Sequence, residues 1–213
     1  LQILEIPNTG HQDIWARDSL PVPIWQDDKL ALVNSKYYYS FEPDAAISEF
    51  LGVDLYSHDY FFVGGNLAAN ALGDCIIVNS KKSISGNIAD VALIPDSFFN
   101  TTYGCQSILR LKHVKGVGRV NEVVKFMSDT VVVTDTVEYE DVLKNAGFTV
   151  YMLPRPEFVS ETYVNSLIVN DVVLVPVFGE KNDQKAIDVY ENLKLDYKIV
   201  PINARELATH GPG

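Results

Sequence analysis

The chain has 213 residues, 47% of them hydrophobic and 21% charged, with a formal net charge of −11. A chain of this size suits one domain with a well-buried core, and the composition is that of an ordinary globular protein. The acidic balance argues against a nucleic-acid partner, which needs a basic footprint. No apolar run approaches the roughly 20 residues of a membrane helix, so no membrane partner is expected.

Apolar, β-branched runs bounded by turn residues predict strands over residues 30–34, 60–63, 75–79, 130–134, 149–153, 166–169, 172–177 and 198–202. Apolar residues at helical spacing predict a helix over residues 137–145, ending at Gly147. An Asn-Asp start with Ala186, Ile187, Tyr190 and Leu193 on one face predicts another over residues 182–193. Residues 44–51 and 120–127 read equally as helix or strand. Cys75 lies in an apolar run and is expected as a buried thiol, while Cys105 lies in a loop. The pair is not expected to set a disulfide framework.

The chain opens on Leu1-Gln2-Ile3-Leu4, without an initiator Met or a basic signal-like segment, and closes on His210-Gly211-Pro212-Gly213. Both ends read as cut from a longer protein; the sequence leaves the compartment open, with the cytoplasm slightly favoured.

Four segments share one plan: a polar anchor, an apolar stretch, an Asp or Asn turn, then a strand. Their anchors are Asp18, Asn66, Asn121 and Asn165, and their turns are Asp27-Asp28, Gly73-Asp74, Ser128-Asp129 and Asn170-Asp171. Repeats of roughly 45–55 residues cannot bury their apolar faces alone and must pack on neighbours. Arranged radially, they would point each anchor at a shared axis, where buried Asp and Asn side chains need hydrogen-bond partners. The same residues are also common hairpin starters, so spacing alone leaves both roles open.

The most specific motif is Asp13-Ile14-Trp15-Ala16-Arg17-Asp18-Ser19-Leu20-Pro21. It joins a carboxylate that could take a guanidinium in bidentate geometry, a Trp that could pack on its flat face, and a positioning Arg. Further on come Gly64-Gly65-Asn66, Tyr163-Val164-Asn165-Ser166, Val175-Pro176-Val177-Phe178-Gly179, Asn182-Asp183-Gln184-Lys185-Ala186 and the closing His-Gly-Pro-Gly. Taken together, in this order and spacing, these motifs resemble the agmatine deiminase and bacterial peptidylarginine deiminase family of guanidine-modifying (pentein) proteins.

The resemblance implies an α/β fold, a five-bladed pseudo-symmetric propeller with its site on the axis. Here it would be one domain over residues 1–213, lacking an N-terminal part and a C-terminal Cys segment. It implies hydrolysis of a guanidinium to a ureido product and ammonia, with neither metal nor organic cofactor. The partner would be a small guanidinium compound such as agmatine, or an arginine-containing peptide. A Cys thiolate would attack, a His would carry protons, and carboxylates would hold the nitrogens of this poor electrophile. Trp15, Arg17, Asp18, Asn66 and Asn165 match substrate-side positions, although the acid often found before the Gly-Gly-Asn turn is Val63 here. The expected Cys would follow Gly213.

The third unit departs from this pattern. Where the family has Gly-His-Val-Asp-Glu, this chain reads Gly118-Arg119-Val120-Asn121-Glu122. Arg119 cannot exchange protons near neutral pH, and Asn121 has the shape of Asp without its charge. A cationic Arg119 would repel a guanidinium, suit an anion, or fill the site by pairing with Asp18. His113 is the one nearby histidine that could substitute, and strand geometry argues against it. Three readings stand: an impaired family member, an active deiminase with a rearranged proton carrier, or an interaction scaffold closed by an Asp18–Arg119 pair.

Overall fold

The computed structural model describes residues 16–36, 43–84, 87–116, 118–158 and 161–209. After one helical turn, α1 (Ala16–Ser19), the chain builds the same three-stranded sheet four times. The first sheet joins β1 (Val22–Gln26), β2 (Lys29–Val33) and, after helix α2 (Asp44–Leu51), β3 (Asp54–Tyr56). A 3-10 turn at Gly64–Asn66 leads into the second, made of β4 (Ala68–Ala69), β5 (Asp74–Asn79) and β8 (Ser107–Lys112). Between β5 and β8 lie a side hairpin of β6 (Lys81–Ile84) and β7 (Asn87–Asp90), a 3-10 turn at Val91–Leu93, and helix α3 (Asp96–Tyr103).

A third 3-10 turn, Val120–Glu122, opens the next unit of β9 (Val124–Phe126), β10 (Val131–Thr134), α4 (Val137–Asn145) and β11 (Thr149–Met152). The last has β12 (Leu167–Val169), β13 (Val172–Val177), α5 (Asp183–Glu191) and β14 (Lys198–Asn203), with α6 (Arg205–Ala208) after it.

In each unit the first two strands pair antiparallel and the third pairs parallel to the second. A parallel partner needs a crossover, and the helix of each unit supplies it. The first and fourth antiparallel hairpins turn where Asp and Asn tolerate left-handed backbone. Asp27 and Asp28 have φ of 48° and 59°, and Asn170 has φ 54°.

Among the described residues, no core cluster is confined to one unit. One core cluster joins Val22 of the first unit to Phe62, Leu67, Ile77 and Phe99 of the second. Another joins Ile76, Val78 and Leu111 to Val120, Val124 and Val132 of the third. A third joins Met127, Val133 and Leu153 to Tyr163, Val173, Phe178 and Tyr190 of the fourth. Each cluster spans two consecutive units, as nearest-neighbour stacking of repeats requires.

The third unit is also locked by a buried hydroxyl. Thr134 Oγ1 donates to the Val123 carbonyl at 2.6 Å and accepts from Thr136 N at 3.1 Å. Thr134→Val, of the same shape, leaves both backbone groups without this partner and is expected to lower stability by about 1–2 kcal/mol. An unchanged urea midpoint would show that the hydroxyl contributes nothing net.

Three expectations are corrected, two on secondary structure and one on the cysteines. Residues 60–63 form no strand: Phe62 is buried as a core side chain, 5.0 Å ring to ring from Phe99. The apolar run serves that aromatic cluster instead of a ladder. Residues 120–127 are neither one helix nor one strand but a 3-10 turn followed by β9, whereas residues 44–51 form a helix.

The cysteines are bonded to each other: Cys75 and Cys105 form a disulfide with their Cα atoms 5.7 Å apart. The parallel pairing of β5 with β8 brings them together, since Cys75 sits opposite Ile108 in register. Neither is a free thiol.

Candidate functional site

Asp18, Asn66 and Asn121 converge where the first three units meet. α1 delivers Asp18 fully buried at 0% exposure, held from behind by Ser35. The Ser35 hydroxyl donates to the Asp18 carbonyl at 2.7 Å and accepts from Gly64 N at 2.8 Å. The two glycines of the second unit's turn make this approach possible. A methyl on Gly64 would lie 2.7 Å from the Arg17 carbonyl oxygen. One on Gly65 would overlap the Asp18 carboxylate and lie 3.2 Å from Asn121 Oδ1. The Gly-Gly pair is therefore a spacing device that seats a carboxylate against backbone.

Asn66 is buried and bound to backbone on both sides. Its Oδ1 accepts from Val78 N at 3.0 Å and from Val120 N at 3.1 Å, and its Nδ2 donates to the Val78 carbonyl at 2.8 Å. Those bonds hold the third unit's turn, and with it Arg119, over the first unit's carboxylate.

The Arg119 side chain is 7% exposed, and its guanidinium forms an ion pair with Asp18 Oδ2. A charge this far from water is tolerated only when paired. Lys82, half-buried on β6, lies close enough that Arg119 adds to the burial that lowers its proton affinity. Asp18 and Glu122 pull the other way.

Arg17 and Asp18 are adjacent but point to different places. The Arg17 guanidinium donates to the Leu67 carbonyl at 2.9 Å and, with Asn121, Lys125 and Asn165, lines a cavity of about 320 Å³. Of the four repeat anchors, Asn165 is exposed, Asn121 half-buried, and the other two buried. Trp15 lies outside the described residues, as do Asp13 and the closing His-Gly-Pro-Gly. His113 is in the loop after β8, its Nε2 3.2 Å from the Gly116 carbonyl.

Sequence reasoning missed Lys125 and Lys82. Lys125 stands between Val124 and Phe126 on β9, and burial, then the Arg17 charge, push its ammonium down to about 8. A lysine inside an otherwise apolar strand was the available signal. Lys82 rides on a hairpin inserted within the repeat, which the four-unit pattern did not contain.

The sequence model of the family described as Porphyromonas-type peptidyl-arginine deiminase matches residues 1–213. The chain belongs to that family. Among solved structures, the agmatine deiminase of C. jejuni superposes with a TM-score of 0.78 at 18% identity, covering 95% of this chain and 70% of that one. DDAH from Pseudomonas aeruginosa, complexed with citrulline, superposes with a TM-score of 0.61 at 10% identity, covering 93% and 72%. Both likenesses show the shared α/β fold of the guanidine-modifying deiminases. A Vibrio parahaemolyticus protein provisionally named as an agmatine deiminase is 40% identical over 55 residues, which is 26% of this chain and 15% of that relative. The family match thus spans the whole chain, whereas the aligned stretch is a small part of that relative's length.

Proposed function

We propose that this chain is the greater part of a five-bladed deiminase propeller whose guanidinium seat is occupied from within. The observation that carries the reading is the Arg119–Asp18 ion pair. Asp18 matches the carboxylate that would hold a substrate guanidinium, and here the guanidinium of Arg119 is ion-paired with it. The third unit therefore withdraws the proton carrier and places a cation on the remaining carboxylate. Asn121 completes the change, because an amide cannot supply the second charge.

The substrate class of the ancestral site is a small guanidinium compound or an arginine-containing peptide. Trp15, Arg17, Asp18, Asn66 and Asn165 are its substrate-side residues, and Arg119 and Asn121 stand at the catalytic positions. In its present form the protein is an impaired deiminase that needs neither metal nor cofactor. The Arg119–Asp18 pair equally serves the scaffold reading, so a gain-of-function test is the discriminating one.

That test is the double variant Arg119→His, Asn121→Asp in the full-length protein, assayed for ammonia release from agmatine and from peptidyl-arginine. We expect at least a tenfold rise over the starting protein, in line with the roughly 10²–10⁴-fold contribution of a positioned acid–base group. A double variant that folds by circular dichroism and releases no more ammonia would favour the scaffold.

A further inference from the structure

The cavity next to the anchors has a charge pattern opposite to the one a guanidinium requires. All four units contribute to it, and it holds about 320 Å³, enough for a ligand of small-metabolite size. Its charged lining residues are Arg17 and Lys125, both cationic; no carboxylate lines it among the described residues. Asn121, Asn165 and Ser166 add neutral polar groups, and Phe126 and Ile168 belong to its apolar wall. Lys125 is half-buried, and among the described residues no hydrogen-bond acceptor or anion engages its ammonium. A partly desolvated lysine beside an arginine is costly unless an anion joins them.

We propose that this cavity binds a small organic carboxylate, its anionic end between the Lys125 ammonium and the Arg17 guanidinium and its hydrocarbon body along Phe126 and Ile168. The proposal rests on the reading above in one respect, that Asn121 stands where the family has an acid. A carboxylate at 121 would put negative charge on this wall and compete with the ligand for Lys125. The apolar wall favours a ligand with a short alkyl body over a bare inorganic ion.

Binding should follow the protonation of Lys125. Its proton affinity is lowered in the empty protein, to about 8, so the ammonium is largely present at pH 7 and largely lost at pH 9.5. Arg17, which faces it from α1, stays cationic throughout that range. β4 contributes Ala68 and Ala69, and the fourth unit contributes Asn165 and Ser166, none of which titrates there. Affinity for a carboxylate therefore falls as pH rises through 8.

The test is calorimetric titration of the chain with butyrate, with butylamine as the cationic control. We expect butyrate to bind at least about tenfold more tightly than butylamine, a difference of about 1.4 kcal/mol. Lys125→Met should weaken butyrate at least about tenfold, Lys125→Arg should keep it within about threefold, and the wild-type affinity should drop several-fold from pH 7 to 9.5. Equal binding of butylamine, or a folded Lys125→Met protein with unchanged butyrate affinity, overturns the proposal. Should Lys125→Met not fold, Asn121→Asp takes its place, with the same weakening of at least about tenfold required. Titration needs no turnover, so an absent carboxylate site and an unrestored deiminase are seen separately.

Discussion

Arg119→Met is expected to destabilise the protein by about 3–5 kcal/mol, because it removes the guanidinium that is ion-paired with the buried Asp18 carboxylate. Asp18 is at 0% exposure and Arg119 at 6%, so water cannot replace the lost partner. The same logic predicts that Asp18→Asn is costly on its own, since it removes the carboxylate charge paired with the buried guanidinium. It also predicts that the double change Asp18→Asn, Arg119→Met recovers most of the loss. Once neither charge remains, neither desolvation penalty does, and the cycle isolates a coupling between the two sites. Urea unfolding of the three variants measures it. Additive losses would mean that the two charges do not interact, and the reading of Arg119 as an internal substrate mimic would fall with them. A further outcome is specific to a guanidinium seat: millimolar methylguanidine should raise the urea midpoint of Arg119→Met and leave wild type unmoved.

Loss of the Cys75–Cys105 bond should lower stability by about 2–4 kcal/mol. The two residues are 30 positions apart, and a loop of that length corresponds to about 3–4 kcal/mol of chain entropy in the unfolded state. The bond ties β5 to the segment entering β8, across a crossover that includes the β6–β7 hairpin and α3. Reduction therefore frees a long excursion, not a short turn. The measurement is the urea midpoint with and without dithiothreitol, repeated on the Cys75→Ala, Cys105→Ala protein, which should match the reduced form. A midpoint insensitive to reductant would rule the bond out as a stabilising element.

Legibility in the sequence followed the range of the interaction involved. Helix α4 is read with its observed ends, Val137–Asn145, because its spacing and the glycine after it are local signals. The hairpin turns at Asp27-Asp28 and Asn170-Asp171 are likewise local, their side chains tolerating positive φ. What failed was non-local. The run at residues 60–63 has strand composition, yet its Tyr60 and Phe62 rings pack on α3, an element with no clear period in the sequence. α3 and β8 went unread, and with them the proximity of Cys75 to Cys105. At the site, the Arg119 substitution was legible as a chemical change from its place in the motif. Its pairing with Asp18 was legible too, as one of three alternatives, and the structure brings the two groups together. Lys125 was overlooked because its sequence neighbours say only that β9 is apolar, whereas its significance comes from Arg17, a residue of another unit.

The clasp made by Asn66 has a consequence for how separate sheets are held in register. With its Oδ1 accepting from Val78 N and its Nδ2 donating to the Val78 carbonyl, the side-chain amide does what a residue of a neighbouring antiparallel strand would do. It acts as a surrogate rung on β5. By also accepting from Val120 N, the same oxygen carries that rung into the next unit's turn, although the two sheets share no strand. An aspartate there would keep the acceptor and lose the donor, and a leucine would lose both. The amide is thus the one side-chain chemistry at this length that lets two sheets read as a continuous hydrogen-bonded surface around a gap.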